Sequence, residues 1–289
     1  FMNQLNLFIE LTRLKKPIGY MLLFWPCSWG LTLGYDFSSS LNIYFFYLLL
    51  FFLGSVLMRS AGCIVNDILD RKFDKKVFRT KDRPIASGKI SVKLGIFYSS
   101  LLCFVAFLVL INFNLFTILI ALASMPLAFS YPLMKRYTYW PQLFLGITFN
   151  YGLILGWTSI NNEINFIPLI FYFGAIFWTL GYDTIYGYQD IIDDEIIGIK
   201  STSIKFKSNP IIFLYLCYTI FLSSLILVGF LEEFSKLYFV SLIMIFLQMY
   251  NFQLKKFRQN SPSTCLEIFK SNNFLGILVF LILLIGKLL

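Results

Sequence analysis

The chain has 289 residues, of which 58% are hydrophobic and only 13% are charged. A water-soluble domain rarely carries so few polar residues, so this composition is typical of a chain whose solvent is largely lipid. The net charge of +9 is the kind of excess that membrane proteins concentrate in loops on one side, and we expect no nucleic acid partner. The sequence contains no histidine, which excludes histidine-ligated metals and histidine general bases.

Apolar stretches long enough to cross a bilayer follow one another along the chain. We predict spanning helices at 17–35, 41–65, 94–111, 115–134, 142–160, 166–189, 210–231, 237–254 and 273–289. These stretches lack the two-residue alternation of barrel strands, so helix is the expected spanning form. Residues 1–16 form a short amphipathic segment in which we find no cleavable signal or transit peptide. The sequence thus predicts an all-α integral membrane bundle of about nine transmembrane helices, forming a single domain over residues 1–289.

Basic residues alternate between the two sets of connections. The N-terminal segment and the loops at 66–93, 135–141, 190–209 and 255–272 are rich in Lys and Arg, whereas the intervening turns hold Lys236 alone. Because positively charged loops stay on the cytoplasmic side, we expect the N-terminus and the long loops to be cytoplasmic. Without a recognised leader, a bacterial cytoplasmic (inner) membrane is the expected location.

An acidic cluster lies in the first long loop. Asn66, Asp70 and Asp74 are spaced at i, i+4 and i+8, so on a helix they form one stripe, with Asp67 beside them. Oxygen ligands without His or Cys suit Mg²⁺, which keeps some water ligands and bridges to phosphate oxygens. The alternative is a solvated helix end without a ligand.

A second acidic cluster lies on the same predicted side. Asp183, Asp190 and Asp194 recur at i, i+7 and i+11, which predicts one face of a second helix. Asp183 falls inside an apolar stretch, where a carboxylate is costly unless it faces a polar cavity. Two rows of carboxylates that face one cavity with bound Mg²⁺ would form a diphosphate site.

Basic side chains are needed to complete such a site. The candidates in the same-side loops are Lys72, Arg79, Lys81, Arg83, Lys135, Arg136 and Lys200. Each of them alone is more often an ordinary charge of a cytoplasmic loop. Arg59 differs, because it lies within the second predicted helix and needs an anionic partner there. That partner is either a substrate carboxylate, bound through both guanidinium nitrogens, or an aspartate of the chain, Asp183 or another.

At these residues the chain resembles the UbiA superfamily of membrane prenyltransferases. Residues 66–74 match its N-D-x-x-D-x-x-x-D motif, residues 190–194 its D-x-x-x-D motif, and Tyr131 with Lys135 its Y-x-x-x-K motif. Further segments resemble the branch that prenylates 4-hydroxybenzoate in ubiquinone synthesis: 16–26, 58–67, 83–88, 134–142 and 182–202. The resemblance covers nearly the whole chain.

The resemblance implies transfer of a polyprenyl group from a polyprenyl diphosphate to the 3-position of 4-hydroxybenzoate, with Mg²⁺ as cofactor. It implies Asp70, Asp183, Asp190 and Asp194 as catalytic residues; Arg79, Arg83, Tyr131 and Lys135 as diphosphate ligands; Arg59 and Arg136 as acceptor ligands; and Asn66, Asp67, Asp70, Asp74, Asp190 and Asp194 as metal ligands. The alternatives are a superfamily enzyme with another aromatic acceptor, and a transporter that uses the intramembrane Asp183 and Arg59.

Overall fold

The structure is a computed structural model that describes residues 2–77 and 79–289, with side chains from residue 4 onward. The regular elements of these residues are helices, which confirms the predicted all-α class. In chain order they are α1 Met2–Thr12, α2 Ile18–Gly34, α3 Leu41–Asp74, α4 Val92–Leu110, α5 Leu115–Tyr137, α6 Pro141–Asn161, α7 Phe166–Gly187, α8 Ile191–Ile197, α9 Thr202–Lys205, α10 Pro210–Leu231, α11 Lys236–Leu254 and α12 Pro262–Leu288.

Within the described ranges, eight helices are long and apolar enough to cross a membrane: α3 to α7 and α10 to α12. Each coincides with a stretch predicted from the sequence. The remaining predicted span corresponds to α2, which is apolar but has only 17 residues. A multi-pass membrane protein is thus confirmed. At 17 residues, α2 is shorter than each of the eight candidate spans.

Helix α2 lies at the centre of the bundle and packs directly against α6. A Cβ atom on Gly30 would lie 1.9 Å from the carbonyl oxygen of Leu153, and one on Gly156 would lie 2.3 Å from that of Cys27. Small residues let membrane helices approach to backbone contact, where van der Waals packing replaces the missing hydrophobic drive. On its other side, Trp29 of α2 donates Nε1–H to the carbonyl of Gly276 in α12 at 3.0 Å. The N-terminal part of the chain, through α2, therefore contacts the last helix of the chain, α12.

Helix α3 is much longer than a bilayer requires. Its 34 residues span about 51 Å at 1.5 Å per residue, against roughly 30 Å of hydrocarbon. It continues past the end of the predicted span, at residue 65, to Asp74. The predicted stripe of Asn66, Asp70 and Asp74 is confirmed as one face of a continuous helix, and it lies at the end that extends out of the lipid.

Helix α5 is interrupted twice, at Ser124 and at Tyr131–Leu133. After Ser124 it continues as Met125–Ser130, a 3₁₀ turn at Tyr131–Leu133 and a last turn at Met134–Tyr137. Pro126 and Pro132 lack the N–H group that an uninterrupted α-helix would use, which accounts for the interruptions. The tightened turn brings Tyr131 to an internal cavity while Lys135 reaches α3.

The predicted helical face through Asp183, Asp190 and Asp194 is wrong. Helix α7 ends at Gly187, and α8 begins after Asp190, which occupies the N-cap position. Gly187, the last residue of α7, lies close to Ser203 of α9, whose Oγ would be 2.3 Å from a Cβ at that position. Asp190 makes no side-chain cap hydrogen bond to α8, and its carboxylate binds Arg79 instead.

Candidate active site

The two acidic clusters meet at one end of the bundle. Arg79, in the connection between α3 and α4, donates Nε–H to Asp190 Oδ1 at 2.8 Å and pairs through a second nitrogen with Oδ2. It also donates to the hydroxyl of Tyr186 at 3.3 Å. A residue that follows the first cluster is thus bound to the second, across 111 positions of sequence. The two clusters therefore border one space, as the sequence predicted.

The first cluster is held by arginines from two directions. Nη1 of Arg83 lies 3.1 Å from Asp67 Oδ1 and 2.9 Å from Asp74 Oδ2. Nη2 of Arg13, in the turn between α1 and α2, lies 2.6 Å from the same oxygen of Asp67. The Asp67 side chain is only 2% exposed, so both arginines compensate a buried charge. Asp67 and Asp74 are therefore occupied by side chains of the protein itself.

Sequence reasoning missed Arg13. It was read as an ordinary basic residue of the amphipathic segment, and nothing in its neighbours signals a contact 54 positions away. Its backbone φ of 57° lies in the left-handed region, which is uncommon for a residue with a long side chain. Such a conformation persists where surrounding contacts impose it, and it often accompanies a functional site.

Asp70, also in the first cluster, is 1% exposed. Lys135 pairs with its Oδ2 atom, whereas Oδ1 has no hydrogen-bond partner among the described residues. Arg136 approaches that second oxygen only to 3.7 Å, because its guanidinium donates to the carbonyl of Leu69 at 2.7 Å. The backbone carbonyl of Lys135 accepts a hydrogen bond from the N–H of Lys200 at 2.9 Å, which joins the last turn of α5 to the loop after α8.

Asp194 completes the second cluster from the first turn of α8. Burial, followed by repulsion from Asp190, raises the pKa of its carboxyl to about 6, although Lys135 and Arg79 oppose that shift. A raised carboxyl pKa means that the folded chain disfavours the ionised form. Asp194 has no ion pair with any described residue, so a cation beside it would stabilise its charge.

The acidic residues alone do not form a complete metal site. Among the described residues, no three Asp, Glu or Cys side chains stand close enough together to enclose a metal ion. The open oxygen of Asp70 and the half-buried side chain of Asn66, which has no hydrogen-bond partner in the described chain, remain available. Mg²⁺ commonly binds through one or two carboxylates and completes its octahedron with water and phosphate oxygens. The donor set therefore fits Mg²⁺ that arrives with a diphosphate.

A largely apolar cavity of about 340 Å³ lies beside the clusters, between α2, α3, α4, α5 and α6. Arg59 and Tyr131 line it, together with apolar side chains such as Met58. Phe107 and Leu122 also line it, and each is 43% exposed on the outer surface of the bundle. The cavity therefore reaches the surface that faces lipid.

Arg59 is the cation of this cavity. Its Nε atom is buried without a hydrogen-bond partner in the described chain, and its guanidinium lies 5.4 Å from the centre of the Phe149 ring. Asp183 is close enough for electrostatic interaction but forms no ion pair with Arg59. The alternative of an Arg59–Asp183 ion pair is thus not realised, and the arginine is left free to bind an anion.

The predicted site residues fall into two groups. Most of them surround the space between the clusters: Asn66, Asp67, Asp70, Asp74, Arg79, Arg83, Lys135, Arg136, Asp190 and Asp194. Arg59 and Tyr131 line the cavity, and Asp183 interacts electrostatically with Arg59 without lining it. Arg136 and Arg59, both predicted to bind the acceptor, are therefore in different places.

This fold and site define a membrane-embedded protein with paired acidic clusters above a cavity. The model of the UbiA prenyltransferase family matches residues 23–281, and the chain belongs to that family.

Several proteins of known name share most of this sequence. The mitochondrial 4-hydroxybenzoate polyprenyltransferase of Arabidopsis thaliana is 40% identical over 97% of this chain and 68% of its own length. That of Bos taurus is 41% identical over 97% of this chain and 75% of its own. The 4-hydroxybenzoate geranyltransferase 2 of Lithospermum erythrorhizon is 39% identical over 97% of this chain and 90% of its own.

Solved structures share the fold. A UbiA homologue from Archaeoglobus fulgidus bound to GPP and Mg²⁺ superposes with a TM-score of 0.73 at 18% identity, over 97% of this chain and 98% of that one. A homologue from Aeropyrum pernix K1 gives 0.72 at 20% identity, over 94% and 98%. At such identities the likeness supports the UbiA-type fold alone.

Proposed function

We propose that this chain transfers a polyprenyl group from a polyprenyl diphosphate to the 3-position of 4-hydroxybenzoate, with Mg²⁺ as cofactor, in ubiquinone biosynthesis. The observation that carries the proposal is the Arg79–Asp190 contact, which brings both acidic clusters to one space beside a cavity with a free arginine. The names of the 38–41% identical relatives support the acceptor.

The diphosphate would lie between the clusters. Lys135 and Arg79 would bind its oxygens once their pairs with Asp70 and Asp190 loosen. Arg83 would add its remaining N–H groups while it keeps its pairs with Asp67 and Asp74. Asn66, Asp70, Asp190 and Asp194 would hold Mg²⁺, which when bound neutralises the charge that develops on the leaving diphosphate. Asp67 and Asp74, fixed by Arg13 and Arg83, would keep the end of α3 in place.

The reaction breaks one bond and forms another. The carbon–oxygen bond at C1 of the prenyl group breaks, the diphosphate leaves with the electron pair, and an allylic cation remains. The ring carbon ortho to the hydroxyl of the acceptor attacks this cation and then loses its proton. The chain has no histidine, so a carboxylate must accept protons in this step, and we assign that role to Asp190. Aromatic faces such as that of Tyr131 would stabilise the cation.

The benzoate carboxylate would bind Arg59, whose guanidinium has no competing ion pair. A bidentate pair with this planar group would fix the ring orientation as well as the charge. Arg136 is the weaker candidate, because the carbonyl of Leu69 and Asp70 already engage it. The polyprenyl tail would follow the apolar cavity towards Phe107 and Leu122 and leave between helices into lipid.

The membrane side follows from charge. We infer that the site lies on the side of the basic loops, which is the cytoplasmic side in a bacterial inner membrane. Several relatives are named as mitochondrial, and in either membrane the predicted sidedness is the same relative to the basic loops. Cysteine labelling from each side of sealed vesicles, at Lys89→Cys and Glu233→Cys, should place these two positions on opposite faces.

Purified protein supplies the direct test of activity. With Mg²⁺, 4-hydroxybenzoate and a polyprenyl diphosphate, mass spectrometry should detect 3-polyprenyl-4-hydroxybenzoate, and EDTA should stop its formation until Mg²⁺ is restored. Naphthoate and homogentisate acceptors offered in parallel should react poorly, and preferred use of one of them would replace the proposed acceptor. Flux into liposomes without product would favour the transporter alternative.

A further inference from the structure

A second concave site lies beside α3, away from the proposed active site. It is a crevice of about 560 Å³ between the end of α3 and the start of α4. Its cations are Arg71, Lys72, Lys75 and Lys93, and its apolar wall includes Ile85 and Ile90. No carboxylate of the described residues lines it, and none of the four cations forms an ion pair with a described residue.

The crevice is separate from the acidic clusters although both use α3. With about 100° of rotation per residue, the mean directions of the basic residues at 71, 72 and 75 and of the acidic residues at 67, 70 and 74 differ by about 110° around the helix. A small apolar cluster of Leu11, Ile64, Ile85 and Ile90 fills the space next to α3 on the crevice side. Neither the acidic residues nor the cavity with Arg59 contributes to the crevice.

Four cations around one concave surface repel one another unless an anion lies among them. The preference for basic loops on one side explains why Lys and Arg occur there, but it does not require them to converge. The start of α4 adds to the positive potential, because its first N–H groups point towards the crevice end of the helix. Ser91 uses its Oγ for the N–H of Leu94 at 3.2 Å, which leaves earlier N–H groups of this turn for another acceptor.

The position of the crevice indicates where that anion comes from. Lys93 lies one turn before Ile96 and Phe97, on the same side of α4. These two side chains are 52% and 60% exposed on a spanning helix, so they face lipid. The crevice is thus at the level where α4 leaves the hydrocarbon, and its apolar wall continues into the lipid-facing surface. A free phosphate ion would leave that apolar wall unused.

We propose that this crevice binds the phosphate headgroup of an anionic glycerophospholipid from the leaflet on the side of the basic loops. The headgroup lies among Arg71, Lys72, Lys75 and Lys93, and its acyl chains run along Ile96 and Phe97. The bound lipid joins the end of α3 to the start of α4. It thereby fixes the ends of the connection that carries Arg79 and Arg83 into the active site.

Native mass spectrometry of the purified protein in detergent tests this site directly. Phosphatidylglycerol added to delipidated protein should give a retained one-to-one complex, and phosphatidylcholine of the same acyl chains should not. Replacing the four cations together by Gln (R71Q, K72Q, K75Q, K93Q) should weaken phosphatidylglycerol binding by about 100-fold or more, because each basic residue near an anionic headgroup adds to the attraction.

Two variants control for charge and for folding. Changing Lys15, Lys89, Lys255 and Lys270 to Gln removes the same charge from exposed positions outside the crevice and should leave binding within about twofold. Changing Lys72, Lys75 and Lys93 to Arg keeps the charge and should retain binding. Equal weakening in the first control would overturn the site, as would equal binding of phosphatidylcholine.

A third arm separates lipid from free anion. Inorganic diphosphate in excess should not displace the retained phosphatidylglycerol, because it offers nothing to the apolar wall. If it does displace the lipid, or raises the melting temperature of delipidated protein only when the four cations are intact, the crevice is a site for free anions and the lipid proposal is wrong.

Discussion

The two acidic clusters serve one site but are held in different ways. Asp67, Asp70 and Asp74 lie on one uninterrupted helix, and each is buried and paired with Arg or Lys from another element. Asp190 and Asp194 follow the break between α7 and α8, where Asp190 relies on the half-exposed Arg79 and Asp194 has no described ion pair. The first cluster is thus held by its partners, whereas the second has one carboxylate, Asp194, without an ion pair to a described residue.

Exchange of one carboxylate in each cluster should have the largest effect. Asp70→Asn and Asp190→Asn should each lower kcat by about 100- to 1000-fold, because each removes charge stabilisation from the departing diphosphate. Product formation followed by mass spectrometry measures this. Asp193→Asn, beside Asp194 but outside the predicted ligand set, should change the rate by less than about twofold. Full activity of either first variant would remove that cluster from the metal site.

Stability should separate the clusters next. Arg83→Gln leaves Asp67 and Asp74 with one cation fewer in a largely buried environment, and it should lower the free energy of unfolding by up to about 3 kcal/mol. Thermal unfolding in detergent measures the loss. Lys89→Gln removes an exposed charge from the same connection and should change stability by less than about 0.5 kcal/mol. Equal melting temperatures for the two variants would mean that the first cluster is not fixed by its partners.

The cavity beside the first cluster gives a kinetic prediction. Arg59→Gln should raise the KM for 4-hydroxybenzoate about tenfold or more, since hydrogen bonds to charged groups contribute roughly 1.5–3 kcal/mol. The KM for the diphosphate should stay nearly constant. Arg59→Lys keeps the charge but loses the planar guanidinium, so its KM for 4-hydroxybenzoate should lie between those of the unchanged protein and Arg59→Gln. The reverse pattern would assign Arg59 to the diphosphate.

The smallest effect should come from the partner of the second cluster. Arg79 is 44% exposed and Asp190 is 17% exposed, so Arg79→Gln should change the free energy of unfolding by less than about 1 kcal/mol. The same melting experiment measures this beside Arg83→Gln. If Arg79→Gln lowered the free energy of unfolding as much as Arg83→Gln, both clusters would contribute equally to stability, and the proposed difference between them would be wrong.

The helices were predictable because lipid imposes a simple rule on sequence. Every spanning segment must be apolar and internally hydrogen-bonded, so hydropathy alone located them. The ends of these helices were less predictable where a helix extends beyond its apolar segment. Helix α3 continues to Asp74 and α12 begins at Pro262, because helical hydrogen bonds continue into water although the apolar residues stop.

The site was predictable only where its spacing is local. Asn66, Asp70 and Asp74 form the expected stripe because one helix carries them. The second stripe was wrong because α7 ends at Gly187 and α8 begins only after Asp190. Arg13 reaches Asp67 through a fold of 54 residues, and Arg136 binds the carbonyl of Leu69 rather than the cavity. Such contacts depend on tertiary packing and leave no pattern in the neighbouring residues.

The open side of the apolar cavity has a consequence for product size. A pocket that selects a prenyl chain by its length needs a closed inner end. Here Phe107 and Leu122 line the cavity and are also exposed on the outer surface. Isoprene units beyond the first few would therefore lie among lipid acyl chains, where no protein contact would select for chain length. If the tail of the proposed substrate lies in this cavity, the enzyme that assembles the diphosphate would set the length of the tail on the product.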